Sequence, residues 1–466
     1  EEEEEDEDED DDNEADAEQS NIAKKTKKAH SDASLVASLK ACTQQKDLAK
    51  GIKIHAHTVK RGLFRNNHHI TSAIVNMYAK CGALLKAQET FDDISSRNTV
   101  LWTSLIAGYA QHGYGEEALV CFECMQEEGF LPDVVTFLSV LRACGSLGYA
   151  HKGKRIHALI VKKDGVLEKN VIIGNALVDM YVKCGSMKMA QEVFDEIPFR
   201  DTILWTTLIA GYAQHGLGLD AFKCFEEMQY EGFSPNAATY VCVLKAFSIM
   251  ELGAEKGREI HREIAKDGLL GKNALVGNSL IDMYAKHGHL EEARKVFDEI
   301  VFWDVCLWNT LITGYAQHGY HEAALSCFEE MQQKGVSPDP TTFICILKVC
   351  GAAGWVKKGQ EIHSRMMKEG FVQKKNLMLA NAVVDMYAKC GAFSKAREVF
   401  DELPNRNVIT WNALMTGYNR HGHGKEVLEC FEQLAQEGLS ANEISYVCVL
   451  KACTSIGAFD KGQEIY

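Results

Sequence analysis

Hydrogen-bonding side chains recur in this chain as spaced pairs. One member is Ser72, Thr103, Asn175, Thr206, Asn278, Asn309, Asn381 or Asn412; the other, in the same order, is Asn98, Asp133, Asp201, Asn236, Asp304, Asp339, Asn407 or Asn442. Hydroxyls and amides both donate and accept, whereas a carboxylate only accepts. One such pair per structural unit suits the reading of one base edge per unit in single-stranded nucleic acid. Asp and Asn are also favoured helix N-caps. Capping explains the second member of each pair. It does not explain Ser, Thr or Asn five residues further on, inside a helix, where their propensity is middling.

The usual reaction centres are missing. His261 and Glu263 give a His-x-Glu, but no Pro-Cys-x-x-Cys follows to complete the zinc site of a nucleobase deaminase. Cys121 and Cys124 lack a second ligand pair. There is no glycine-rich phosphate loop and no nucleophile motif, and paired acids such as Glu226 and Glu227 belong to solvated helix faces. The expectation is a recognition module with no catalytic residue, no metal and no cofactor.

The elements that must position the pairs follow from a period. Trp102, Trp205, Trp308 and Trp411 are each 103 residues apart, as are the runs Asn76–Gly82, Asp179–Gly185, Asp282–Gly288 and Asp385–Gly391. Each period divides into units of 31, 35 and 37 residues, as in 171–201, 202–236 and 237–273. In the first, Ile173, Leu177, Met180 and Tyr181 share one helical face, Gly185 breaks the helix, and Ala190, Val193, Phe194 and Ile197 line a second. Pro198 blocks its continuation. The 35-residue unit repeats this plan, and the 37-residue unit is expected to have a looser turn. A helix pair cannot bury its apolar face alone, so the units must stack. The predicted fold is all-α: a right-handed α-solenoid superhelix of helix-turn-helix repeats over 31–466.

Residues 1–30 stand apart. Residues 1–20 carry 15 of the 65 acids and no Lys or Arg, and Lys24, Lys25, Lys27 and Lys28 follow. An acidic, disordered tail with a basic linker is expected. The net charge of -15 therefore belongs to the tail, and the body balances 50 acids against 50 bases. A neutral body argues against binding by bulk charge alone. No run of apolar residues is long enough for a membrane span. Most of the 16 cysteines recur in register, Cys184 with Cys81 and Cys390, and Cys144 with Cys42, Cys350 and Cys453. They read as buried reduced thiols in a reducing compartment. The start has no initiator Met and no Arg/Ser-rich leader. The last unit stops at Tyr466 inside its expected second helix. Both ends suggest a piece of a longer protein.

Three runs carry a resemblance: Leu204-Trp-Thr-Thr-Leu-Ile-Ala-Gly-Tyr212 with Ala221 to Met228, Gly174 to Gly185 with Val193 to Pro198, and Thr136 to Cys144 with Gly153 to His157. Over 31–466 the sequence resembles plant pentatricopeptide repeat (PPR) proteins of the PLS subclass, with alternating P, L and S units of 35, 37 and 31 residues. These resemble organellar RNA-editing specificity factors.

The resemblance implies a single-stranded RNA partner running parallel to the chain, read by the fifth and last residues of each P and S unit. It implies base-wedging second residues at His69, Val100, Ile172, Ile203, Leu275, Cys306, Met378 and Ile409; ordinary helix packing is the other reading of the apolar ones. Lys80, Lys183, Lys286 and Lys389 are candidate phosphate contacts or solvated-face lysines. The L units present Val36, Leu138, Val241, Ile344 and Val447 in fifth place, outside the code. The implied target is 5′-AGNUANUUNYY-3′, placed in a mitochondrion or chloroplast for C-to-U editing or other processing, with editing-complex proteins as further partners. A protein-binding tetratricopeptide-like scaffold, and the recognition part of a deaminase lacking its catalytic end, are the alternatives.

Overall fold

The computed structural model describes residues 32–64, 67–163, 170–250, 253–301, 303–371 and 376–465. The acidic tail and basic linker lie outside these residues. Among the described residues there are 26 helices and no strand. The described residues form two compact units, one of those up to 215 with 223–234, the other of 216–222 with those from 235 on.

Both units use one plan. In the first, Val171–Lys183 pairs with Met187–Glu196, and the first helices of successive pairs pack on one another. Ile173, Leu177, Met180, Tyr181, Ala190, Val193, Phe194 and Ile197 are all buried, as their spacing predicts. Gly185 ends the first helix at φ +73°, a left-handed conformation that a side chain would strain. In the second unit, Ala274–Lys286 with Leu290–Glu299 and Leu377–Lys389 with Phe393–Asp401 repeat that pairing.

Two repeated contacts join neighbouring pairs. The ring of Trp102, Trp205, Trp308 or Trp411 meets Phe91, Phe194, Phe297 or Phe400 edge-on, each at 4.5 Å. This favourable aromatic geometry pins each 35-residue unit to the 31-residue unit before it. Behind it, Nδ1 of His55, His157, His261 and His363 lies 2.9–3.2 Å from the hydroxyl of Tyr78, Tyr181, Tyr284 and Tyr387. Burial lowers the pKa of all four histidines. His261 is thus part of a repeated packing contact, and the other copies carry His57, Leu159 and Arg365 where it has Glu263.

Two sequence expectations need correction. In the 37-residue unit at 237–273, Ala237–Phe247 is followed by Gly253–Lys266, and 251 and 252 between them lie outside the described residues. In the other copies only two residues separate Val134–Leu147 from Ala150–Lys162 and Pro340–Ala353 from Val356–Lys368. There Gly148 and Gly354 take φ +70° and +75°; in the 237–273 copy the residue at that register is Glu251. The cysteines also divide. Cys42, Cys144, Cys350 and Cys453 are buried, but Cys81, Cys184 and Cys390 are only partly so, because they cap helix ends. All 16 are free thiols, and burial pushes Cys144 and Cys350 up to about 12.

Candidate nucleic-acid interface

The second member of every pair is a helix N-cap. Side-chain oxygens of Asn98, Asp133, Asp201, Asn236, Asp304, Asp339, Asn407 and Asn442 accept from the backbone N–H three residues on, at Leu101, Thr136, Leu204, Thr239, Leu307, Thr342, Thr410 and Ser445. Capping requires an acceptor, so in each asparagine Oδ1 faces the helix and Nδ2 faces away. In Asp339, Oδ1 accepts from Thr342 N at 2.8 Å and Asn309 Nδ2 at 3.0 Å. No bond among the described residues reaches its Oδ2. Burial acts to raise the Asp339 pKa, but the backbone N–H of Thr342, the Asn309 amide and the Thr342 hydroxyl outweigh it. The carboxyl is held below its ordinary value and stays ionised.

The first members sit one shell deeper. Ser72, Thr103, Asn309, Asn381 and Asn412 are buried, and Asn175, Thr206 and Asn278 half-buried. Asn412 Nδ2 donates to Asn442 Oδ1 at 2.9 Å; Asn381 and Asn407 lie at 3.5 Å, Asn175 and Asp201 at 3.4 Å, and Thr103 and Asp133 at 3.4 Å. Two pairs are not bonded among the described residues. Asn278 accepts from Thr310 Oγ1 at 2.7 Å rather than meeting Asp304, and Ser72 makes no bond to Asn98. Thr206 donates to the carbonyl of Thr202 at 2.7 Å, while Asn236 belongs to the other compact unit.

A third residue, which sequence reasoning missed, completes the site. Thr342 Oγ1 lies 2.6 Å from Asn309 Oδ1, Thr410 Oγ1 2.7 Å from Asn381 Oδ1, and Ser445 Oγ 2.7 Å from Asn412 Oδ1. Each hydroxyl is fully buried. Each also accepts from the backbone N–H of Asp339, Asn407 or Asn442, closing a capping box. The hydroxyl fixes which way the fifth-residue amide faces. Where Leu204 replaces it, Asn175 Oδ1 is buried without a partner. The available signal was a Ser or Thr three residues after the cap.

The predicted wedges are on the surface. Val100, Ile172, Ile203, Leu275, Met378 and Ile409 are 57–70 % exposed, and His69 and Cys306 are exposed too. Packing between helices therefore does not explain these apolar side chains, which stand one helical turn from the paired residues. Three of the four lysines have a partner. Lys183, Lys286 and Lys389 lie 2.7, 2.8 and 2.8 Å from Asp179, Asp282 and Asp385, one turn earlier. At Lys80 the equivalent residue is Asn76. Lys286, Asp282, Asn309, Thr310, Thr313 and Gln317 line one open cleft of about 220 Å³.

The PPR repeat family matches residues 97–146, 200–248, 303–352 and 406–455, and the PPR repeat matches 175–201, 278–305, 341–371 and 379–408. A mitochondrial pentatricopeptide repeat-containing protein of Arabidopsis thaliana is 31 % identical over 91 % of this chain and 68 % of its own length. The chain belongs to the pentatricopeptide repeat family. Another mitochondrial PPR protein of that plant is 35 % identical over 92 % of the chain, and a chloroplastic one 32 % identical over 90 %. The chain spans 61 % and 66 % of those two relatives. The crystal structure of the PPR protein PPR10 from maize aligns with a TM-score of 0.50 at 19 % identity, covering 92 % of this chain and 72 % of that one. The shared fold is an α-solenoid of stacked helix pairs. Among the described residues no helix is long and apolar enough to cross a membrane, and no three His, Cys, Asp or Glu side chains group to hold a metal.

Proposed function

We propose that this PPR chain binds single-stranded RNA and reads one base with each 31- and 35-residue unit. One observation carries the reading: a capping residue holds its helix through one side-chain oxygen and carries a second polar atom, which at Asp339 and Asn442 has no partner among the described residues, while at Asp201 it takes a long 3.4 Å contact from Asn175. In Asp339 that atom is an anionic acceptor, which suits the N3–H of uracil or the N1–H of guanine. In Asn442 it is a donor, which suits N3 of cytosine or N1 of adenine. The fifth residue sets the room beside it. The short hydroxyls of Ser72, Thr103 and Thr206 leave space for a purine; the longer amides of Asn175, Asn278, Asn309, Asn381 and Asn412 favour a pyrimidine.

The resulting register is 5′-AGNUANUUNYY-3′. The exposed wedges separate neighbouring bases by apolar contact, and the lysines accompany the phosphates. The alternation of unit lengths supports a reading of the chain as one of the PLS subclass. Its role there is to position an organellar transcript for C-to-U editing or related processing, alongside editing-complex proteins. The mitochondrial and chloroplastic relatives support an organellar location. The chain recognises and does not catalyse: His261 bonds to Tyr284, and the Cys121 thiol, which burial pushes up to about 12, is poorly suited to hold a metal.

Fluorescence anisotropy at near-physiological salt tests this with the eleven-base RNA and a variant in which the second base is A and the seventh G. Preference for the first RNA supports the code. Equal binding removes the base assignments. Binding to neither, with capture of an extended peptide instead, establishes a protein scaffold.

A further inference from the structure

The 37-residue units also close on asparagine: Asn67, Asn170, Asn273 and Asn376. By side-chain chemistry they match the readers, but their backbone differs. Their ψ values are 99°, 90°, 101° and 92°. At the eight caps that close the other units ψ runs from 168° to 179°. The side chain is displaced accordingly. Asn273 Oδ1 accepts from Leu275 N and Val276 N at 3.0 and 3.3 Å, the second and third helical residues. Asn67 and Asn376 do the same. The reading caps take only the third.

The backbone N–H groups also differ at the positions where a bond is recorded. Asn67 N donates to Leu63 O at 3.1 Å and Asn273 N to Leu269 O at 2.9 Å, which ties each peptide back into the turn that ends its own unit. At Asn236, Asp339, Asn407 and Asn442 the N–H instead meets a hydroxyl three residues on. In Asn67 the remaining amide nitrogen donates to Asp32 Oδ2 at 3.0 Å, at the start of its own unit.

We infer that the 37-residue units are spacers by backbone construction: their closing asparagine is turned out of the reading row, so the third base of each triplet goes unread whatever side chain occupies the fifth place. The inference rests on the RNA-reading proposal above. It separates two accounts of Leu138, Val241 and Ile344. If the apolar fifth residue alone silenced the unit, a single substitution would restore reading, because the asparagine is already present.

The test uses the full chain with Val241→Asn and, as a second site, Ile344→Asn, each measured against RNAs carrying all four bases at position six or nine. Asn309→Thr, measured at position eight, is the control in a reading unit. Affinities at positions six and nine are expected to stay within about twofold across the bases, while the control moves its preference from U to G by about fivefold or more. A fivefold preference for any base at position six or nine in either variant overturns the inference. A control that keeps its preference for U removes the modular reading itself, and the spacer account with it. If one variant fails to fold by circular dichroism, the other decides.

Discussion

Asp339→Asn is the sharpest perturbation of the reading row. The substitution keeps Oδ1, which accepts from Thr342 N at 2.8 Å and Asn309 Nδ2 at 3.0 Å, and replaces Oδ2 by an amide nitrogen. Asn and Asp cap helices about equally, so the cap survives. The lost charge at the helix N-terminus costs about 0.3–1 kcal/mol. Opposite the base the change is larger, because an anionic acceptor becomes a donor. Uracil loses a charge-assisted bond and finds two donors facing one another; cytosine gains a partner at N3. With about 1–3 kcal/mol per good edge contact, preference at the eighth base moves from U to C by about 5- to 150-fold. Anisotropy with the eleven-base RNA carrying U or C at that position, at one fixed salt concentration, measures it. Retained preference for U, or an equal loss on both RNAs with the melting temperature unchanged, would refute the argument that the atom left over from capping is the reader.

Three further outcomes follow from the same geometry. Thr342→Val removes the hydroxyl 2.6 Å from Asn309 Oδ1; it should cost about 1–3 kcal/mol in a urea titration and blur selectivity at the eighth base alone. Selectivity loss spread over all positions would mean general unfolding instead. Asp282→Asn frees Lys286 from its 2.8 Å ion pair and should raise affinity and steepen the salt dependence, whereas Lys286→Gln should lower the slope by about 0.7. Unchanged slopes in both variants would place these lysines away from phosphate. The four half-buried histidines have folded pKa values below the unfolded value of about 6.5, so the unfolded state takes up protons first. Stability is full above about pH 6.5 and is lost as pH falls through the unfolded pKa towards the folded ones. The urea midpoint should therefore drop between pH 7.5 and 5.5, less steeply when all four are changed to Gln; an equal drop would assign the effect to other groups.

Much of this was legible in the sequence because one period repeats every error or success several times. The helix pairs, the recurring Trp positions and the capping Asp and Asn follow from spacing and local propensity, which neighbours do not override. The role of Thr342, Thr410 and Ser445 was not legible. Each lies about 30 residues from the amide it orients, and a threonine at the third helical position reads as an ordinary cap partner. The partners of Lys183, Lys286 and Lys389 were readable at i, i+4 but were weighed only as solvated or phosphate-facing. The ψ difference between the two kinds of closing asparagine has no sequence signal in the residue itself. At Asn273 the N–H meets a carbonyl behind it and at Asn442 a hydroxyl ahead, yet Asn98, Asp201 and Asp304 share the extended ψ with a leucine three residues on, so that hydroxyl is not what sets it.

Asp339 and Asn442 illustrate a division of labour within a single side chain. Two atoms hang from one carbon, and only one of them answers to the fold. Exchanging carboxylate for amide rewrites the message to a ligand while the helix beneath remains capped, so selectivity can drift with little change in stability. An alanine or leucine at the same place would silence the letter and fray the helix together. The mechanics of a helix end thus narrow this position to a few short capping side chains before any ligand has been met, and of these only Asp and Asn carry a second polar atom.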